Sequence, residues 1–264
     1  MTQQYVHGHH ASVLVGHSWR TVDNSARYLV SKINADSHIL DVGCGPGTLT
    51  ADLAELCPSG RVVGIDPSSE VIQVAHQTIP PAQNLSFEVG DASSLRFADA
   101  TFDIAHAHQV LQHVPDPIVI LQEMARVTRP DGIIAVRDSD YSAFTWSPEH
   151  DSLSRWLEIY RTIARCCGGE PDAGRYLATW AGLAGLNVTS AGTSQWVFET
   201  PKDVTWWGAM WAERVIKSSF ATNSIKFGVA TNSELEDLRD GWLSWSKREN
   251  AQFIVRHHEV IATH

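Results

Sequence analysis

The apolar positions of this chain fall into two rhythms. Between residues 38 and 140, short apolar runs alternate with amphipathic stretches. "HILDVG", "RVVGID", "LSFEVGD", "FDIAHAH" and "GIIAVRDSD" read as strands. "TLTADLAEL", "SSEVIQVAHQTI" and "DPIVILQEMARVT" read as helices between them. Buried strands separated by helices predict a parallel sheet with helices on both faces. "TVDNSARYLVSKI" (21–33) predicts one more helix ahead of the first strand.

After Asp140 the rhythm changes. "HDSLSRWLEIYRTIAR" places Leu153, Trp156, Leu157, Tyr160 and Ile163 at helical spacing. "TPKDVTWWGAMWAERV" opens with Thr200 as cap, Pro201 at the first position and Asp203 in the first turn. Its apolar stripe is Val204, Trp207, Trp211 and Val215. "TNSELEDLRDGWLSW" opens with a Thr231/Glu234 capping box and carries Leu235, Leu238, Trp242 and Trp245 on one face. The strand-like "LNVTSAGTSQWVFET" and "AQFIVRHHEVIATH" bracket these helices. The expectation is one domain over 1–264: an N-terminal lid and helix (1–35), a core (36–140), a helical cap with one edge strand (141–250) and a final strand (251–264).

Composition narrows the partners. The chain has 264 residues, 43% hydrophobic, with a net charge of −10. An acidic chain without a Lys/Arg cluster is a poor match for nucleic acid or an anionic membrane. No run reaches the roughly 18 apolar residues of a membrane span, and the first 20 residues lack a signal-peptide core. Four cysteines without a CxxC pair indicate a reducing, cytoplasmic setting. Of ten tryptophans only Trp19 precedes Trp146, so the two halves do different work.

The chemistry concentrates in "HILDVGCGPGTLTADLAE" (38–55). A strand, a glycine loop and a helix bring backbone close to a ligand. The third glycine of a dinucleotide-binding GxGxxG is absent, because Thr48 stands there. The pattern is D-x-G-x-G-x-G. Asp41 would repel a pyrophosphate and suits an ammonium or sulfonium group. Asp66, nineteen residues after Gly47, ends the second strand and can accept from both ribose hydroxyls. Asp91 follows the third strand, where its carboxylate can accept from an adenine amino group while the Ala92 amide donates to the ring. His108 and Gln109 fall over the switch-point crevice.

Together these motifs resemble the class I S-adenosylmethionine-dependent methyltransferases of the UbiE-like kind, over about residues 38–140. "VTRPDGIIAVRD" matches the approach to that family's fifth strand. The resemblance implies a Rossmann-like, doubly wound, mostly parallel seven-stranded sheet with a helical cap insertion. It implies S-adenosyl-L-methionine as cofactor, held by Asp41, Gly43, Cys44, Gly45, Asp66, Pro67, Asp91, Ala92, His108 and Gln109. The ends of the chain, with "GGEPDAGRYL" (168–177) and "WWGAMWAERVIKSSFA" (206–221), resemble a narrower group of small-molecule methyltransferases. That group includes the fungal enzyme that bis-S-methylates the dithiol of gliotoxin-type toxins.

Other residues carry open alternatives. "HGHH" (7–10) can be a lid, a zinc site or a loose end; His ligands without a matched Cys or carboxylate are a weak metal signal, and no metal is expected. Tyr5 and His9 would sit on such a lid beside the substrate. Arg20 can pair with the cofactor carboxylate or lie on the surface. His113 is the first candidate for a general base and Asp138 for a second catalytic group. Trp206 and Met210 are out of phase with their helix's stripe and, with Trp146 and Trp180, can line an apolar substrate chamber. The same helices can instead pack a homodimer. Methyl transfer is an in-line displacement whose leaving group is neutral, so alignment supplies roughly 7–11 kcal/mol at best. A thiol acceptor, with a pKa of about 8.5, needs little help from a base. The leading expectation is S-methylation of a dithiol metabolite. C- or O-methylation of a quinone, phenol or polyketide, and cofactor binding without catalysis, are the alternatives.

Overall fold

Five short strands begin the sheet: β1 (His38–Val42), β2 (Arg61–Asp66), β3 (Leu85–Val89), β4 (Phe102–His108) and β5 (Thr128–Ser139). They run parallel in the order β3-β2-β1-β4-β5 in the computed structural model, which describes residue 16 and residues 18–264. Tyr5, His7, His9 and His10 lie outside the described residues. The connecting helices are α1 (Thr48–Leu56), α2 (Ser69–Thr78) and α3 (Pro117–Val127). β1, β2 and β4 and the second half of β5 are buried between two apolar layers, which explains their apolar runs, while the edge strand β3 is only half-buried. One face sets Ile39, Ile104 and Ala135 against Leu49 and Leu53 of α1 and against Val22, Ala26 and Leu29. The other sets Leu40, Ala105 and Val136 against Ile120, Leu121 and Met124 of α3.

The second half adds β6 (Thr145–Ser147), α4 (Asp151–Cys166), α5 (Leu177–Leu183), β7 (Asn187–Phe198), α6 (Pro201–Lys217), α7 (Ser219–Lys226), α8 (Asn232–Trp245) and β8 (Gln252–Thr263). β8 is antiparallel and lies between β5 and β7. The three-residue β6, unforeseen from sequence, pairs with residues 252–254 of β8 and makes an eighth strand. The fold is therefore a mixed, mostly parallel, Rossmann-like sheet with helices on both faces. The expected caps are present at α6 and α8: Thr200 accepts from the Asp203 amide, and Thr231 with Glu234 forms a capping box.

Residues 21–33 are helical but not α-helical. Val22–Ala26 forms a π turn and Arg27–Lys32 a 3-10 segment. The carbonyl of Asn24 accepts a 2.6 Å hydrogen bond from the Trp196 indole, which draws it away from the helical ladder.

The cap has its own aromatic core. Trp156, Trp211, Trp242 and Trp245 are fully buried around Phe253 of β8. Trp156 meets Trp211 and Trp242 edge-on at 4.5 and 5.0 Å, the geometry the ring quadrupole favours. Phe253 is only eight residues from Ile261, which packs under the sheet, so β8 joins cap and core. Trp156→Ala should lower unfolding stability by about 3–5 kcal/mol, read as a lower denaturation midpoint in urea with tryptophan fluorescence.

Candidate functional site

The carboxyl ends of β1 and β4 open onto a hollow lined by Arg20, Asp41, Gly43, Cys44, Pro46, Thr48, Leu49 and His108. Gly43, Gly45 and Gly47 have φ of 70°, 57° and 85°. That left-handed backbone is why the loop is glycine-rich, since an L side chain there is strained. A Cβ on Gly43 would also sit 2.4 Å from Val110 Cγ2, and one on Gly47 2.6 Å from Phe87 Cζ. The loop therefore nests between the start of α1 and the turn after β4.

Asp41 is buried at the floor. Its Oδ2 accepts from Thr50 Oγ1 at 2.7 Å and its Oδ1 from His106 Nδ1 at 2.8 Å. Each oxygen keeps a lone pair for a further donor. Cys44 is a buried packing group; burial holds its thiol well above the usual range, with the charges of Asp41 and Asp66 adding to this. Asp66 accepts from the Gly45 amide at 3.3 Å and the Ser68 amide at 3.0 Å, and so ties the glycine loop to β2; Pro67 is exposed beside it. Beyond β2 and β3 a second hollow is lined by Ile65, Val89, Gly90, Asp91, Ser94, Leu95, Arg96 and Phe97. Asp91 Oδ1 accepts from the amide and hydroxyl of Ser93, while Ala92 packs inward nearby.

Arg20 roofs the first hollow. Its guanidinium donates to Gln109 Oε1, and its carbonyl accepts from Thr48 Oγ1 at 3.0 Å. Gln109 has a φ of 55°, and its Nε2 lies 2.8 Å from His257 Nε2. A guanidinium binds Oε1, so Nε2 must be the donor and His257 Nε2 the acceptor. The same logic fixes His113. Gln112 Oε1 accepts from Ser139 Oγ at 2.6 Å, so Gln112 Nε2 donates to His113 Nε2 at 3.0 Å. Burial, with the Arg20 charge adding to it, lowers His113 to about 3. That counts against the general-base role expected for His113, because its accepting nitrogen is already used by Gln112.

Asp138 is fully buried at the end of β5. Its Oδ1 accepts from the Gln112 amide at 3.1 Å, with the Leu111 amide also donating, and so it holds the turn after β4. Its Oδ2 has no hydrogen bond among the described residues. Burial raises its pKa to about 7, opposed by those amides and by Arg20 and Arg137.

The expected chamber of Trp146, Trp180, Trp206 and Met210 does not form. Trp180 stacks on Tyr176 at 5.7 Å and packs with the α3 side of the sheet. Trp146 stacks on Phe253, and Trp206 packs against Trp19 and Phe198. Met210 is buried in the cap core, with Gly16 beside it and Arg214. Residues not singled out from the sequence as part of the site do reach it: His106, His257, Glu259, Ser194 and Trp196. The alternations "HAH" on β4 and "HHE" on β8 were the available signal. Among the described residues no group of three or more His, Cys, Asp or Glu is placed to hold a metal.

A profile of the methyltransferase domain family matches residues 33–183. The chain belongs to that family. An uncharacterized methyltransferase of Schizosaccharomyces pombe is 30% identical over 271 residues, 97% of this chain and 95% of that one. An O-methyltransferase of Penicillium expansum is 38% identical over 128 residues, 47% of this chain and 45% of that one. A solved methyltransferase from Bacillus halodurans covers 96% of this chain and 99% of its own with a TM-score of 0.58 at 18% identity, a likeness of fold. This methyltransferase uses S-adenosylmethionine, and the site fits it: backbone amides and acids at the tips of β1, β2 and β3, and a buried, unpartnered His108 Nε2 beside the first hollow.

Gly43→Ala should weaken binding of S-adenosylhomocysteine by calorimetry at least tenfold, on the order of 1.4 kcal/mol, through backbone strain and the Val110 clash. Adding Val110→Ala should recover part of the loss, since it removes the clash and leaves the strain.

Proposed function

We propose that this methyltransferase methylates an oxygen of a hydroxylated hydrophobic small molecule, with Asp138 taking the acceptor's proton. The observation that carries this reading is the difference between Asp138 and the histidines around it. His108, His113 and His257 are all held neutral by burial, and each presents one ring nitrogen to a donor. Asp138 alone combines a proton affinity near neutrality with an oxygen that has no hydrogen bond among the described residues, the match a general base needs. The Penicillium expansum relative, described as an O-methyltransferase, supports an oxygen acceptor.

The cofactor, when bound, supplies an electrophilic methyl on a positively charged sulfur. The chain's own groups do the rest. Arg20 and the turn after β4 close the hollow, and the neutral histidines keep competing protons away. Asp138 Oδ2 receives the hydroxyl proton as the acceptor oxygen forms its bond to the methyl carbon. Held at the tips of β1, β2 and β3, the cofactor would keep the electron pair of its carbon–sulfur bond as a neutral thioether, so its departure would need no acid from the chain.

S-methylation of a dithiol is the second reading, favoured by the low basicity of His113, since a thiol ionises at about 8.5 without a strong base. One experiment separates the two. Phenolic and dithiol acceptors are incubated with the chain and with Asp138→Asn, and methylation is followed by mass. The rate on a phenol should rise with pH through about 7, as the carboxyl loses its proton. Asp138→Asn should cut that rate by about 10²-fold or more and remove the rise. A preferred dithiol, methylated by both forms with a rise near pH 8.5, would overturn the oxygen reading.

A further inference from the structure

We propose that Arg137 is a positioning residue: it fixes His108 as a neutral hydrogen-bond donor into the first hollow, for the carboxylate at the amino-acid end of the cofactor. The proposal rests on the first hollow being the methionine end of the cofactor site.

The geometry is a row across three strands. His108 on β4 is in register with Arg137 on β5, and Arg137 with Glu259 on β8. Side chains directly across neighbouring strands share a face. Arg137 Nε donates to Glu259 Oε1 at 3.2 Å and to Ser194 Oγ at 3.0 Å. The Trp196 ring lies 5.3 Å from the guanidinium carbon. Held on three sides, the guanidinium turns Nη1 toward His108 Nδ1 at 3.5 Å. A guanidinium has donors and no acceptor. A proton on Nδ1 would set two N–H groups against each other, so the ring proton belongs on Nε2. That nitrogen is buried and unpartnered, on a residue that lines the hollow.

The charged and titratable groups around His108 agree. Arg137 on β5, Arg20 on the N-terminal segment, His257 on β8 and His106 on β4 all disfavour a second proton, after burial itself. Glu259 hydrogen-bonds Arg137 and Ser194, and Asp41 hydrogen-bonds Thr50 and His106, so neither carboxylate is paired with His108. His108 is therefore a donor in this site and never a base. Arg20, which lines the same hollow, would supply a cation to that carboxylate.

The test uses the full chain. Ring nitrogen NMR of histidine-labelled protein, with His108 assigned by difference from His108→Asn, should show a neutral ring protonated at Nε2 from about pH 5.5 to 8. A proton on Nδ1, or titration near the ordinary value of about 6.5, would overturn the proposal without any Arg137 variant. Binding gives the second readout. Arg137→Gln should weaken S-adenosylhomocysteine about tenfold or more and leave methylthioadenosine, which lacks the amino-acid end, unchanged. Arg137→Lys, which keeps a donor, should restore part of the affinity. Equal losses for both ligands, or none for S-adenosylhomocysteine, would overturn the role. A wild-type chain that binds neither ligand would instead strike the cofactor assignment, and the proposal with it.

Discussion

A guanidinium buried in the middle of a sheet constrains everything around it. Arg137 is 1% exposed, and burial lowers its pKa to about 10 against the support of Glu259. A buried ion is tolerable only if it is paired and its remaining hydrogen bonds are met. The antiparallel β8 is what brings Glu259 into register with Arg137, and β7 brings Ser194 and Trp196. Trp196 then reaches across to the Asn24 carbonyl and shapes the N-terminal segment. From that segment Arg20 returns to Gln109, and Gln109 to His257, which lies 4.4 Å from the Trp196 ring. The polar ends of four strands and the N-terminal roof thus form one closed circuit.

The same circuit explains how an acidic chain makes a site for a ligand with both signs of charge. Net charge is −10, yet the cations nearest the first hollow are Arg20 and Arg137, on the roof and the β5 side. The acids Asp41, Asp66 and Asp91 stand at the tips of successive strands. Burial disfavours the charged form of His108, His113 and His257, so they add direction through their N–H groups without adding charge. Fixed dipoles of this kind need no reorganisation when a ligand arrives. Gln109, held with φ of 55° by its backbone bond to the Arg137 carbonyl at 2.7 Å, belongs to that rigid frame.

Local pattern carried the core well. β1 to β5 and the helices between them were legible because each is bounded by its own turn chemistry and buried on a short, regular stretch. The glycine loop was legible because left-handed backbone leaves few residue choices. Residues 21–33 were legible as helical, but not their π and 3-10 form, where an indole 172 positions away donates to the Asn24 carbonyl. β6 was missed because three residues carry no periodicity. His113 looked like a base because sequence shows the imidazole but not the Gln112 donor or the desolvation that disarm it. His257 and Glu259 join the site only through the register of β8 against β5.

Acceptor recognition is harder to read for a related reason. An aromatic stripe on a cap helix has the same spacing whether it faces a core or a chamber. α6 shows the difficulty: Trp207 and Trp211 face the cap core, but Met210 is buried too, with Gly16 beside it. The phase of a side chain on its helix tells which way it points and not what waits there. Trp180 makes the same point from the other side of the sheet, where α5 carries it beside Tyr176 and against the layer that packs with α3. The turn after β4 and the end of β5 are by contrast polar, linked by the hydrogen bonds of Gln109, Gln112, Asp138 and Ser139. Choice of acceptor should then depend less on the bulk of the cap tryptophans than on which proton the buried carboxyl of Asp138 can take.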